Sequence, residues 1–82
     1  MTHEEILERL GDIVAETVGL DRLVLTAATT AADVDGWDSL AHVQIIVAVE
    51  RAFSVQFRTG EIAAIGNVGE LVARIAARSG SS

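Results

Sequence analysis

The chain has 82 residues, no cysteine, no proline and no lysine; twelve acids against six arginines leave it at −6. One small domain is implied. Disulfides and thiolate metal sites are excluded, nucleic-acid binding is disfavoured for want of a basic face, and no apolar run approaches the ~20 residues of a membrane span. The charge is uneven. Residues 1–50 hold ten acids against Arg9 and Arg22, which puts them at −8; residues 51–82 hold Glu61 and Glu70 against four arginines, which puts them at +2. An acidic surface favours solubility and steers basic partners. The acidic start of the chain has no signal-peptide character, so a cytoplasmic protein is expected; a monomer is expected as well.

Thr2 followed by Glu5 has the form of a capping box. Ile6, Leu7, Leu10, Ile13, Val14 and Val18 then recur at helical spacing, with Glu4, Glu5, Glu8, Asp12 and Glu16 on the wet side. Gly19 is the expected stop. Residues 20–37 form a long connection. Leu20, Leu23 and Leu25 are expected to anchor its first part, and 26–35 has so little periodicity that it is expected to be mobile.

A second helix is predicted over 39–52, with Asp38 as its N-cap. Residues 53–57 alternate like a strand, but nothing is available to pair with them, so they are expected to be an extended connector. Thr59 is expected to cap a short turn over 60–64, which Gly66 breaks. Asn67 with Glu70 opens a last helix carrying Val68, Leu71, Val72 and Ile75, with Arg74 and Arg78 near its negative end. Residues 79–82 read as a flexible tail, leaving 1–78 as the domain. The expected fold is all-α: three substantial helices and one short one around a single core.

The second helix has two apolar stripes. Ile45, Ile46, Val49 and Phe53 suit the core. Leu40, Val43 and Val47 lie on another side, flanked by Gln44, Glu50 and Arg51. That second stripe is either a partner surface or is covered by the short helix or the long loop.

Ser39 follows directly on Asp38. A serine at a helix start ordinarily caps it. Here Asp38 offers itself for that duty, which leaves the Ser39 hydroxyl free at a helix end that favours an anionic group such as a phosphate ester. A hydrolytic Ser39–His42 pair lacks a nucleophile elbow and room for a substrate pocket. His3 and His42 without supporting ligands make no metal site. Trp37 is expected to anchor the loop end and to touch either an attached group or a partner.

The run Gly36-Trp37-Asp38-Ser39-Leu40-Ala41-His42-Val43, continued by Ile45 to Glu50 and Phe53, resembles the acyl carrier proteins. The resemblance extends over nearly the whole chain. It implies a four-helix bundle whose Ser39 receives 4′-phosphopantetheine from coenzyme A through a separate magnesium-dependent phosphopantetheinyl transferase. The arm's thiol then carries acyl or aminoacyl groups as thioesters, and the carrier itself catalyses nothing. The implied partners are that transferase, an acyl- or aminoacyl-loading ligase, and a downstream acyltransferase or synthase. Partner recognition would fall to Trp37, Asp38, Leu40, Val43, Gln44, Val47, Glu50 and Arg51. Fatty-acid carriers usually line the second helix with acids. Here the matching positions are Ala41, Gln44 and Arg51, with only Glu50 kept, and Arg58 stands where many relatives have proline. The resemblance is therefore closer to carriers of specialised pathways that load small polar, glyceryl-type or aminoacyl units. The competing possibility is an unmodified helical interaction domain that uses the Leu40/Val43/Val47 stripe.

Overall fold

Local capping chemistry decides where the helices begin. At the first, the Thr2 hydroxyl accepts from the Glu5 N–H (3.1 Å) and the Glu5 carboxylate accepts from the Thr2 N–H (2.9 Å). The computed structural model describes residues 2–79. They form α1 (His3–Val18), α2 (Ser39–Phe53), α3 (Thr59–Ala64) and α4 (Val68–Ser79), with one 3₁₀ turn (Ala31–Asp33) between α1 and α2. This is an all-α four-helix bundle, with no strand among the described residues. α1 ends at Gly19 in the left-handed conformation (φ 81°), as its position predicts. α2 runs one residue further than expected, through Phe53, and is capped by Ser54, also left-handed (φ 55°), so the connector begins at 55 and spans 55–58 rather than 53–57. No helix among the described residues is long and apolar enough to cross a membrane.

α1 packs against both α2 and α4. The core is built from Ile6, Leu10 and Val14 of α1, Ile45, Ile46, Val49 and Phe53 of α2, and Val68, Leu71, Val72 and Ile75 of α4. Each fully buried Leu or Ile contributes about 1.5–3 kcal/mol of apolar transfer free energy. Three helical stripes of this size are enough to define which face of each helix turns inward.

Several expectations need correction. Leu25 is buried and Leu23 half-buried, but Leu20 lies in solvent at 41% exposure. It directly follows the left-handed residue, which turns the chain away from the bundle. Thr59 is the first residue of α3 rather than its cap; Arg58 holds the cap position without a side-chain hydrogen bond. At the start of α4 the Glu70 N–H donates to Asn67 Oδ1 (2.9 Å), but the Glu70 carboxylate reaches past Asn67 to the Gly66 N–H. Arg74 and Arg78 do more than face a helix end, since both pair with Glu61 of α3. α4 extends to Ser79, the first residue of the expected tail; residues 80–82 lie outside the described residues.

The long connection has more anchors than its composition suggests. Val34 is buried along with Leu25. The carbonyls of Ala27 and Thr29 accept from the Gly69 and Val68 N–H groups at 2.9 and 2.8 Å. Those two amides open α4 and have no acceptor within the helix. The loop therefore completes the N-terminus of the last helix.

Candidate functional site

The end of the long loop is shaped by a tight turn against α1. The Trp37 N–H donates to the Val34 carbonyl (3.2 Å) and the Asp38 N–H to the Gly36 carbonyl (3.0 Å). Gly36 sits at φ 89°, and a Cβ there would come within 3.3 Å of Val18 Cβ. Only glycine supplies that conformation at so close an approach without strain.

The turn delivers Asp38 to the mouth of α2. Its Oδ1 accepts from the Ala41 N–H at 2.8 Å and its carbonyl accepts from the His42 N–H at 2.9 Å. The cap is thus occupied. Ser39, the first residue of α2, is exposed, and its hydroxyl has no hydrogen-bond partner among the described residues. The N–H groups of Ser39 and Leu40 precede any acceptor within the helix, so the positive end of the helix dipole surrounds the hydroxyl.

Ser39 opens onto a cleft of about 440 Å³. Trp37, Asp38 and His42 form one wall, and Ile62, Ala63 and Ile65, from α3 and just beyond it, form the other. The Trp37 indole N–H donates to His42 Nδ1 at 3.1 Å, and the two rings stack with centroids 6.1 Å apart. From this pair a narrow indentation of about 40 Å³ leads toward Val68 and Leu71. No hydrogen bond joins Ser39 to His42 among the described residues, and the imidazole is engaged by Trp37 rather than by a carboxylate. The arrangement has no proton relay behind the serine.

Leu40, Val43 and Val47 are 68, 57 and 43% exposed. The second apolar stripe is therefore uncovered by α3 or the loop. Val43, Gln44, Val47 and Arg51 share one shallow surface. Glu50 lies elsewhere: it is half-buried, and its Oε2 accepts from the Phe57 N–H at 2.9 Å, which holds the connector after α2. Ala41 is buried, so it is not a surface position. The uncovered side of α2 thus presents Arg51 and no carboxylate. The Trp37–His42 bond and the α3 wall of the cleft have no sequence pattern that reveals them. Both depend on how the loop end and α3 fold over the start of α2.

A serine hydroxyl held at a helix end, beside an open cleft and without a relay, is suited to bearing a group rather than transforming one. The family described as "Phosphopantetheine attachment site" matches residues 8–75. The acyl carrier protein of Rhodococcus erythropolis is 35% identical over 74 residues, covering 90% of this chain and 81% of that protein. The acyl carrier protein of Guillardia theta is 31% identical over 72 residues, covering 88% and 89%. The solution structure of the holo acyl carrier protein from Geobacter metallireducens superposes with a TM-score of 0.80 at 36% identity, covering 88% of this chain and 83% of that one.

The chain belongs to the acyl carrier protein family. It is a carrier, not an enzyme, and its cofactor is covalently bound 4′-phosphopantetheine. A phosphopantetheinyl transferase and synthases are the partners that membership brings. The residues around Ser39 fit a phosphate-linked arm: a hydroxyl and two helix-start amides without a partner among the described residues, and an adjoining cleft.

Proposed function

We propose that Ser39 Oγ is the atom that bears the arm, and that this carrier serves a specialised biosynthetic pathway with small polar, glyceryl-type or aminoacyl cargo. The observation that supports the attachment atom is the cap arrangement: Asp38 satisfies the Ala41 amide, and the Ser39 hydroxyl is left exposed and unbonded. Attachment joins Ser39 Oγ to phosphorus and breaks the phosphoanhydride of coenzyme A. The hydroxyl proton passes to the transferase and the nucleotide portion leaves. When bound, the arm supplies a thiol that holds acyl groups as thioesters. The chain's own residues position it: Asp38 keeps the helix end formed, and the first amides of α2 face the phosphate.

Two features support the cargo class. The uncovered side of α2 carries Leu40, Val43, Gln44, Val47 and Arg51, which suits partners with an apolar patch and no strongly basic rim. The indentation behind the site, at about 40 Å³, has room for a few waters at most, so a long acyl chain is not accommodated there without movement of α3. The loading ligase and the acyltransferase or synthase would dock on that side of α2, in the cytoplasm.

Incubation with coenzyme A and a broad-specificity transferase tests the attachment. Intact mass should rise by one phosphopantetheinyl group, and Ser39→Ala should abolish the gain. A gain that survives Ser39→Ala would place the arm elsewhere. Parallel loading trials with amino acids, hydroxy acids and long-chain fatty acids test the cargo class; preference for the long chains would overturn it.

A further inference from the structure

The Trp37–His42 pair contains a hydrogen-bond donor that no other group among the described residues uses. His42 Nδ1 accepts from the Trp37 indole N–H at 3.1 Å. An imidazole nitrogen accepts only when it carries no proton, so in the neutral ring the single proton sits on Nε2. Nε2 has no partner among the described residues. The ring is half-buried, stacked on Trp37, and lines the cleft onto which Ser39 opens.

Residues three apart on a helix have Cβ atoms roughly 5–6 Å apart. From that spacing an imidazole at position 42 reaches a phosphorus bonded to Ser39 Oγ. No lysine or arginine lines the cleft. The donors available to a phosphate there are the first amides of α2 and His42 Nε2–H.

We propose that His42 is a positioning residue for the attached arm: its Nε2–H donates to a non-bridging oxygen of the phosphodiester on Ser39, and Trp37 fixes the tautomer that makes this possible. The proposal rests on Ser39 as the attachment atom. It assigns Trp37 an indirect role, through His42, in place of direct contact with the arm. The result is an arm whose first bonds are directed along the wall of the cleft beside α3.

The test uses the whole protein, with loading verified by intact mass, and ¹⁵N imidazole and ³¹P NMR. Before loading, His42 should show an unprotonated Nδ1 and a proton on Nε2. After loading, exchange of the Nε2 proton with water should slow by about tenfold or more, as expected for a hydrogen bond to a charged acceptor. The ³¹P resonance should move in His42→Leu, which removes the donor, and return close to wild type in His42→Gln, which restores one. Trp37→Phe should populate both tautomers and weaken the protection. Mass-verified loading with unchanged Nε2–H exchange and the same ³¹P resonance in wild type and His42→Leu would overturn the role of His42 while leaving Ser39 in place. Absence of any mass gain would remove both.

Discussion

Replacing Asp38 with alanine deletes the acceptor of the Ala41 N–H and the negative charge at the start of α2. Loss of an N-cap acceptor costs about 1 kcal/mol. Loss of a carboxylate from a helix N-terminus costs about 0.3–1 kcal/mol more. The expected total is about 1–2 kcal/mol, which for a domain of this size lowers Tm by roughly 5–15 °C. Asp38→Asn keeps the acceptor and should lose only the charge contribution. Ser39→Ala should change stability by less than about 0.5 kcal/mol, because its hydroxyl bonds to nothing that must be replaced. Urea unfolding followed by far-UV circular dichroism, with a thermal melt as a check, measures all three. Equal losses for Asp38→Ala and Ser39→Ala would mean that Ser39 shares the capping duty, and the case for its free hydroxyl would fail.

Other expectations come from different parts of the molecule. Gly69→Ala should destabilise by about 1 kcal/mol or more, because its Cβ would lie 2.8 Å from the Ala27 carbonyl oxygen and force the loop away. Gly60→Ala, with open space around it, should be neutral or stabilising by about 0.5 kcal/mol; if the two variants behave alike in thermal melts, the loop contact is unimportant. Glu61 titrates below its ordinary value of 4.5: desolvation pushes it up, but the Arg78 and Arg74 guanidinium groups together with hydrogen bonds from Arg78 and the Arg58 backbone outweigh that. A lowered carboxyl favours the folded state above its unfolded value, and that contribution is lost as pH falls below about 4.5 and through the folded value. Glu61→Gln should therefore flatten the fall in stability on the acid side, and an unchanged acid limb would argue against it. Val47→Asp should leave Tm within a few degrees, since the side chain is exposed. Transfer of cargo by a partner enzyme should nonetheless drop at least tenfold; unchanged transfer would place docking elsewhere.

Much of the fold follows from short-range rules. The Thr2–Glu5 box, the Gly19 stop and the Asp38 cap act within four or five residues, so their residue types suffice to locate helix ends. The core stripes of α1, α2 and α4 follow from helical period in the same way. Ser39 is legible for the same reason, since its freedom depends on its immediate neighbour. What the sequence leaves hidden involves residues far apart along the chain or a choice between equivalent partners. Nothing in the spacing of Trp37 and His42 says that an indole will bond an imidazole across a helix start. Glu50 and Ala41 read as surface positions by analogy, yet one binds the Phe57 amide and the other is buried. The 26–35 loop reads as loose because its attachments are backbone carbonyls, which composition does not register.

Those attachments also bear on the order in which the molecule is made. Ala27 and Gly69, like Thr29 and Val68, are about 40 residues apart in sequence. Closing a loop of that length carries an entropic cost that the docking of α4 on α1 offsets, so these bonds depend on the last helix being in place. The cleft beside Ser39 has walls from the loop end, α2 and α3, and the loop that leads into it is secured only when the last helix arrives. A nascent chain still lacking α4 would display Ser39 on an unfinished surface. A transferase that recognises the finished surface would in effect inspect the whole domain before loading it.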